Sequence, residues 1–126
     1  MMLSDYPAVA TIPATDMERA KKWYREKLGF EPVADEPEYV EFNAGDGTRF
    51  TLFPTRAASG AGHTVLSFEI DNVEKVVEEL KGRGVVFEEY DMPDFKTIDG
   101  IAEMEGFKGA WFKDSEDNVI AIGQRI

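Results

Sequence analysis

The sequence has no cysteine and only one histidine among its 126 residues. The lack of cysteine excludes disulfides and thiolate metal sites, and it is typical of proteins of a reducing cytoplasm. His63 is the only candidate acid or base of the imidazole type.

Long apolar runs and an excess of basic residues are also missing. No run approaches the ~20 residues of a membrane helix, and residues 1–10, MMLSDYPAVA, lack the basic and apolar regions of a signal peptide. The chain has 14 Lys and Arg against 25 Asp and Glu, a net charge of -11. Because nucleic acids and anionic membranes attract basic surfaces, we expect the protein to bind neither. The lack of cysteine, of a signal peptide and of a membrane helix predicts a cytoplasmic protein.

What is present predicts one globular domain over residues 1–126, since hydrophobic residues make up 43% of the chain and the charges are mixed. Residues 63–84, HTVLSFEIDNVEKVVEELKGRG, begin with the alternation of a half-buried strand. From Asp71 the apolar residues follow a helical period instead. Asp71 is the predicted N-cap, and Gly82 or Gly84 is expected to end the helix.

Residues 8–29, AVATIPATDMERAKKWYREKLG, show the same order of strand, Asp, helix and Gly. We therefore predict two repeats, over about 8–53 and 63–124, joined by a flexible linker at 54–62. Further strands are predicted at 30–33, 38–43, 48–53, 85–90, 109–112 and 118–122, while 91–107 has no convincing period. The order is βαβββ followed by βαβββ.

Three stretches carry a resemblance to the vicinal oxygen chelate superfamily of glyoxalases, bleomycin-resistance proteins and dioxygenases. They are DMERAKKWYREKLGF (16–30), HTVLSFEIDNVEKVVEEL (63–80) and WFKDSEDNVIAI (111–122). The last is similar to the family's F-x-D-P-x-G-N-x-x-E-L ending, with Ser115 in place of Pro and Asp117 in place of Gly. The resemblance implies an α+β fold in which two βαβββ repeats form a cupped, half-open barrel with the helices outside. It also implies a homodimer.

The same resemblance implies four places for metal ligands, and in this sequence they hold Val9, Thr51, Val65 and Ala121. Metal sites need imidazole or carboxylate donors, whereas of these four side chains only that of Thr51 has a polar atom. A set built from His63 with Glu69, Glu41 or Glu105 is conceivable, but the spacing does not require it. We expect no metal and no other cofactor.

Without metal ligands, the concave face is expected to be a small-molecule pocket with an apolar wall and a few polar groups. Alternation predicts that Arg49, Thr51, Phe53, His63, Ser67 and Glu69 share that face with Thr11, Val65 and Ala121. Segment 91–107, which is long for a connection, is expected to be either a lid over this pocket or part of a dimer interface. The predicted ligand contacts are Thr51, Phe53, His63, Ser67, Phe107 and Trp111.

Three classes of function remain open at this point. The first is a metal-free protein that binds an apolar or aromatic small molecule in the cup. The second is a glyoxalase-like lyase or isomerase that works without metal and uses His63 as acid or base, and the third is a structural or regulatory dimer with a filled cavity. The sequence does not identify the ligand.

Overall fold

A computed structural model describes residues 2–56 and 60–126 of the chain. The first half contains β1 (Ala10–Ala14), α1 (Met17–Trp23), β2 (Ala34–Glu36), β3 (Tyr39–Asn43) and β4 (Arg49–Pro54). The second half contains β5 (Thr64–Glu69), α2 (Val73–Gly82), β6 (Asp91–Met92), β7 (Phe95–Ile98), β8 (Ile101–Met104), β9 (Phe107–Lys113) and β10 (Val119–Arg125). Residues 57–59 of the predicted linker lie outside the described residues.

The two halves share one topology. In the first sheet the strand order is β1-β4-β3-β2, with β1 parallel to β4 and the other pairs antiparallel. In the second sheet the order is β5-β10-β9-β8-β7-β6, with β5 parallel to β10. In each half the first strand therefore pairs with the last strand. The strands between them in sequence follow outward in reverse order. The predicted α+β class, with two mixed sheets in an open, barrel-like arrangement, is confirmed.

Two predictions about the second half are wrong. Segment 91–107 is not a loop, because β6, β7 and β8 form an antiparallel extension of the sheet that continues into β9. The strand predicted at 85–90 is reduced to a single bridge, Phe87 to Phe112. The reason is competition for one edge: β8 pairs with the first half of β9, which leaves only the second half for Phe87.

Smaller differences concern element ends. The first strand, which the sequence predicts at 8–12, lies two residues later at Ala10–Ala14. The strand predicted at 30–33 lies at Ala34–Glu36. The N-cap of α2 is Asn72, not Asp71, because the Asn72 carboxamide oxygen accepts the Lys75 backbone N–H at 3.1 Å. That amide lies three residues after Asn72, which is the distance an N-cap side chain spans.

Helix α1 starts as predicted and ends in an unexpected way. The Asp16 carboxylate accepts the Arg19 backbone N–H at 3.0 Å, as an N-cap should. After Trp23 the helix widens into a π-helical turn, Tyr24–Leu28, which Gly29 ends in the left-handed conformation at φ 80°. This turn carries the buried Tyr24 ring into the core.

Both helices pack on the same side of the sheets, and the core lies between the helices and the sheets. Helix α1 contacts β4, and α2 contacts β9 and β10. The Phe30 ring stacks on Phe68 with ring centres 5.8 Å apart, which joins the two halves through aromatic packing. This core includes the buried strand side chains Ile12, Ala14, Val40, Phe42, Phe50, Leu52, Ala110, Phe112, Ile120 and Ile122. The alternate strand residues therefore face away from the helices.

A buried polar cluster ties the turn between β9 and β10 to the start of α1. Glu116 accepts hydrogen bonds from the Thr15 and Asp16 backbone N–H groups and from the Arg19 guanidinium. Asp114 accepts the Tyr24 hydroxyl proton at 2.6 Å. These contacts join residues about 90 to 100 positions apart, so they hold the two repeats together.

The turn in this cluster also explains a departure from the family ending. Asp117 stands where the family has glycine, and its φ is 64°, in the left-handed region. Aspartate is one of the residues that tolerates this conformation, so the turn keeps its shape without glycine.

Among the described residues, no helix is long and apolar enough to cross a membrane.

Candidate functional site

The candidate site lies on the face of the two sheets that points away from α1 and α2, called the open face below. On the first sheet, Thr11, Thr51 and Glu41 lie side by side on β1, β4 and β3. Phe53 is two residues beyond Thr51 and half-buried. The Arg49 guanidinium lies 4.0 Å from the Glu41 carboxylate. This part of the open face is mostly polar.

On the second sheet the open face has a floor of small residues. Ala121 lies between Ser67 on β5 and Trp111 on β9. Two residues further along β10, Gly123 lies between Glu69 on β5 and Gly109 on β9. The middle of this sheet therefore presents alanine and glycine, which leaves space above it.

The Phe107 ring occupies part of that space. A Cβ atom placed on Gly123 would lie 2.5 Å from the ring, and one placed on Gly109 would lie 2.8 Å from it. The ring therefore rests on the backbone of both glycines, at a distance that only residues without a side chain allow. We call this arrangement, Phe107 on Gly109 and Gly123, the aromatic platform.

A cluster of three aromatic rings continues the open face beyond the platform. The Trp111 ring meets Phe95 at 5.1 Å and Tyr90 at 6.0 Å between ring centres, both edge to face. Tyr90 and Phe95 stack on each other at 5.2 Å. Burial raises the pKa of the Tyr90 hydroxyl, and the nearby Glu88 carboxylate adds to the effect. The contacts with Phe95 and Tyr90 hold the Trp111 ring in its orientation.

A cleft of about 1090 Å³ opens beside the platform and is larger than the other clefts found among the described residues. It runs along the edge strand β5 and the end of β10, and it extends from the open face around this edge to Val76 of α2. Its lining includes the residues Ser67, Phe68, Glu69, Ile70, Asp71, Val76, Phe107, Ala121, Gly123, Gln124 and Arg125. Pockets for drug-sized ligands have volumes of about 300–1,000 Å³, so this cleft is large enough for such a ligand.

The charged side chains of the cleft are two carboxylates and one guanidinium. Glu69 and Asp71 are exposed, and among the described residues neither makes an ion pair. Arg125 is exposed as well. Gln124 is fixed, because its side-chain oxygen accepts the Val73 backbone N–H at the start of α2, at 2.9 Å.

The structure divides the six predicted ligand contacts into three groups. Ser67 and Phe107 line the cleft, and Trp111 lies on the same face beside Ala121. Thr51 and Phe53 lie on the open face of the first sheet and do not line this cleft. The assignment of these residues to a ligand stays a prediction.

His63 belongs to the third group. It is exposed just ahead of β5, does not line the cleft, and its Nδ1 lies 3.1 Å from the Thr64 carbonyl oxygen. A histidine bonded to its neighbouring main chain is positioned as a loop residue. The role of acid or base has no support from this placement.

Several residues of the cleft were not among the predicted contacts. Glu69 lies on the face that alternation predicts for it, and Gly123, Gln124 and Arg125 line the cleft in addition. The available signal was the alternation of β10, because Gly123 and Arg125 follow Ala121 at steps of two. What the sequence does not show is that Gly123 lies level with Gly109.

The residues at the family's metal positions do not fit a metal. Val9, Val65 and Ala121 offer no donor atom, and Thr51 offers only a hydroxyl. Among residues 2–56 and 60–126, no group of three His, Asp or Glu side chains is placed to hold a metal ion. No step of a mechanism is therefore derived through a metal.

Comparison with known proteins identifies the family. The sequence profile of the glyoxalase/bleomycin resistance protein/dioxygenase superfamily matches residues 7–122. Among curated proteins, the uncharacterised protein YetH of Bacillus subtilis strain 168 is 27% identical over 115 residues, which cover 85% of this chain and 88% of YetH.

Two solved structures illustrate the fold. TnmS3, an antibiotic-binding protein from Streptomyces sp. CB03234, is 24% identical with a TM-score of 0.67, over 96% of this chain and 98% of TnmS3. FosX, a fosfomycin resistance protein from Listeria monocytogenes, is 12% identical with a TM-score of 0.71, over 96% of this chain and 93% of FosX. At these identities the likeness shows the fold alone.

Proposed function

The chain belongs to the glyoxalase/bleomycin resistance protein/dioxygenase superfamily, and on that premise we propose that it binds a small apolar or aromatic molecule without a metal. The observation that carries the proposal is the aromatic platform beside a cleft of about 1090 Å³. The Phe107 ring lies against both glycines and also lines the cleft, so it offers an aromatic surface on which a planar ligand could stack. Burying roughly 150 Å² of such a ligand stabilises by about 4 kcal/mol.

Two observations support the proposal that the chain binds a ligand without turnover. TnmS3, which has the same fold, is an antibiotic-binding protein, and small-molecule sites are typically apolar clefts with few polar groups. The metal positions hold Val9, Thr51, Val65 and Ala121, so the electrophile of metal-dependent members has no ligands here. A lyase or isomerase that uses His63 is less well supported, because His63 is exposed and lies outside the cleft.

A homodimer is part of the proposal. Large apolar side chains are exposed on the outer part of the second sheet and ahead of it, at Val86 (78% exposed), Ile98 (71%) and Met92 (48%). A second copy that covered them would bury apolar surface. Light scattering should give twice the chain mass for the wild type, and Ile98→Lys should shift the mass toward one chain. A monomer at all concentrations would contradict this part.

The binding proposal is tested by a thermal-shift screen of planar aromatic compounds. We expect at least one compound to raise the Tm of the wild type, and the shift to be lost in Phe107→Ala. The control is Tyr6→Ala, which removes an exposed aromatic ring from the N-terminal arm and should keep the shift. A shift that survives in Phe107→Ala would place the ligand away from the platform.

The same screen on Thr51→Trp asks whether the open face of the first sheet belongs to the site. Loss of the thermal shift would indicate that Thr51 and Phe53 belong to the same binding site as the platform, as the sequence predicts.

Metal analysis of the purified protein should give less than roughly a tenth of an equivalent of metal, because a tight metal site needs about three or four protein donors. Stoichiometric metal that disappears in His63→Ala would refute the metal-free proposal.

A further inference from the structure

The charged residues that line the cleft indicate which class of ligand it prefers. Glu69 lies on β5, level with Gly123, and the Phe107 ring rests on Gly123. The carboxylate is therefore at the edge of the aromatic platform. A planar ligand stacked on Phe107 would bring its substituents toward Glu69.

Glu69 differs from the carboxylates on neighbouring elements. Glu74 has the Lys108 ammonium at 3.0 Å, which lowers the pKa of Glu74. Glu88 is paired with Lys113 at 3.6 Å. Among the described residues, Glu69 has no such partner. Its negative charge therefore faces the cleft without an ion-pair partner among the described residues.

The surrounding charge acts in the same direction. Asp71 also lines the cleft and is unpaired among the described residues, whereas Arg125 is the one cation of the lining described in this structure. The lining thus carries one net negative charge, and the whole chain carries a net charge of -11. A negative field of this kind attracts cations and repels anions.

The platform itself favours the same class of ligand. The face of a phenylalanine ring carries partial negative charge, so it attracts a cation placed over it. A positively charged aromatic ligand can stack on Phe107 and place its charge between the ring and Glu69. A neutral aromatic ligand gains only the first of these interactions, and an anionic one is opposed by Glu69 and Asp71.

We propose that the cleft selects planar aromatic molecules that carry a basic, positively charged group, and that Glu69 receives that charge. This inference rests on the proposed small-molecule binding and names its ligand class. Arg125 provides the competing possibility, because a guanidinium in the same lining would favour an acidic ligand instead. The two are separated by ligand charge.

The test uses three planar three-ring probes of different charge at neutral pH: proflavine (cationic), acridone (neutral) and anthraquinone-2-sulfonate (anionic). Affinities are measured by equilibrium dialysis at low salt. We expect proflavine to bind about five-fold more tightly than acridone, the advantage of an exposed charge pair. The sulfonate should bind most weakly, and added salt should reduce the advantage of proflavine.

Variants identify the group responsible. Glu69→Gln should lower the proflavine affinity about five-fold and leave acridone unchanged, because the exchange removes charge but keeps shape. The control Glu78→Gln makes the same change in net charge on the exposed surface of α2, outside the cleft, and should have no effect. Phe107→Ala should weaken proflavine and acridone alike.

The outcomes separate the two proposals. Equal binding of the three probes, all lost in Phe107→Ala, would overturn the charge selectivity and leave the binding function intact. Tightest binding of the sulfonate would overturn it in favour of Arg125. An unchanged proflavine affinity in Glu69→Gln would overturn the role of Glu69. Binding of none of the probes, together with a thermal screen without hits, would overturn both proposals.

Discussion

The buried carboxylate Glu116 is the most informative residue for testing how the two repeats are joined. Its side chain is 0% exposed and the Arg19 side chain is 54% exposed, with Nε and Oε2 2.8 Å apart. Burial alone would raise the pKa of Glu116. Hydrogen bonds from Arg19, Ser115, Thr15 and the Asp16 backbone outweigh burial and hold the pKa at about 2, below the ordinary value of 4.5.

The lowered pKa sets both the size and the pH dependence of the effect. A carboxyl group whose pKa falls from 4.5 to about 2 on folding contributes about 3 kcal/mol of stability at neutral pH. The contribution is complete above the unfolded pKa and is lost as the pH falls through the folded pKa. Glu116→Gln should therefore cost about 3 kcal/mol at pH 7, and the difference from wild type should shrink by about 2 kcal/mol at pH 3.

Urea unfolding followed by tryptophan fluorescence measures this difference at both pH values. The matched control is Glu26→Gln, which removes the exposed carboxylate 4.0 Å from Lys22 and should change the free energy of unfolding by less than about 0.5 kcal/mol. The reasoning is refuted if Glu116→Gln lies within about 1 kcal/mol of wild type at pH 7. A difference that does not change between pH 7 and pH 3 would refute it as well.

Three further substitutions test the platform, the core and the second helix. Gly123→Val would place a Cβ 2.5 Å from the Phe107 ring, so it should lower stability by about 1–3 kcal/mol and abolish aromatic ligand binding, as followed by thermal shift. Tyr24→Phe removes the hydroxyl that donates to the buried Asp114 and should cost about 1.5–3 kcal/mol in urea unfolding. Asn72→Ala removes the N-cap of α2 and should cost about 1 kcal/mol in the same assay.

Each of these substitutions has a control within the chain. Gly45→Ala adds a methyl group that meets nothing within 4 Å, and Tyr39→Phe removes the hydroxyl of a tyrosine that is 40% exposed. Both should stay within about 0.5 kcal/mol of wild type. Asp71→Ala, at the wrongly predicted cap, should cost less than Asn72→Ala. A reversed order in any pair would contradict the contact that the pair tests.

The repeated architecture was predictable because its signals are local. The change from alternation to helical period near Asp71, and the same change near Asp16, need only neighbouring residues to be recognised. The helix ends Gly29 and Gly84 also followed local rules, since both adopt positive φ. The exception, Asn72 in place of Asp71, is a shift of one residue between two good N-cap types.

The extension of the second sheet was not predictable in the same way. Strands β6, β7 and β8 have two to four residues each, too few for alternation to be recognised. Their strand form depends on pairing with β9, which is a tertiary effect. Gly100 and Gly106 lie in the turns of this antiparallel extension, at φ 85° and 74°.

The candidate site was predictable in its face but not in its position. Alternation placed Ser67, Glu69 and Ala121 together, and the structure shows them on one face. The platform depends on the register that sets Gly109 level with Gly123. Such a register joins strands through hydrogen bonds that single-strand patterns do not report.

The most direct measurement of the central claim is a crystal structure of the protein with the planar ligand that gives the largest thermal shift. The account predicts ligand density on the open face of the second sheet, stacked on Phe107 at about 3.5–4 Å, with the ring still resting on Gly109 and Gly123. A ligand bound elsewhere on the chain would contradict the account. So would a Phe107 ring that has turned into the cleft and filled it.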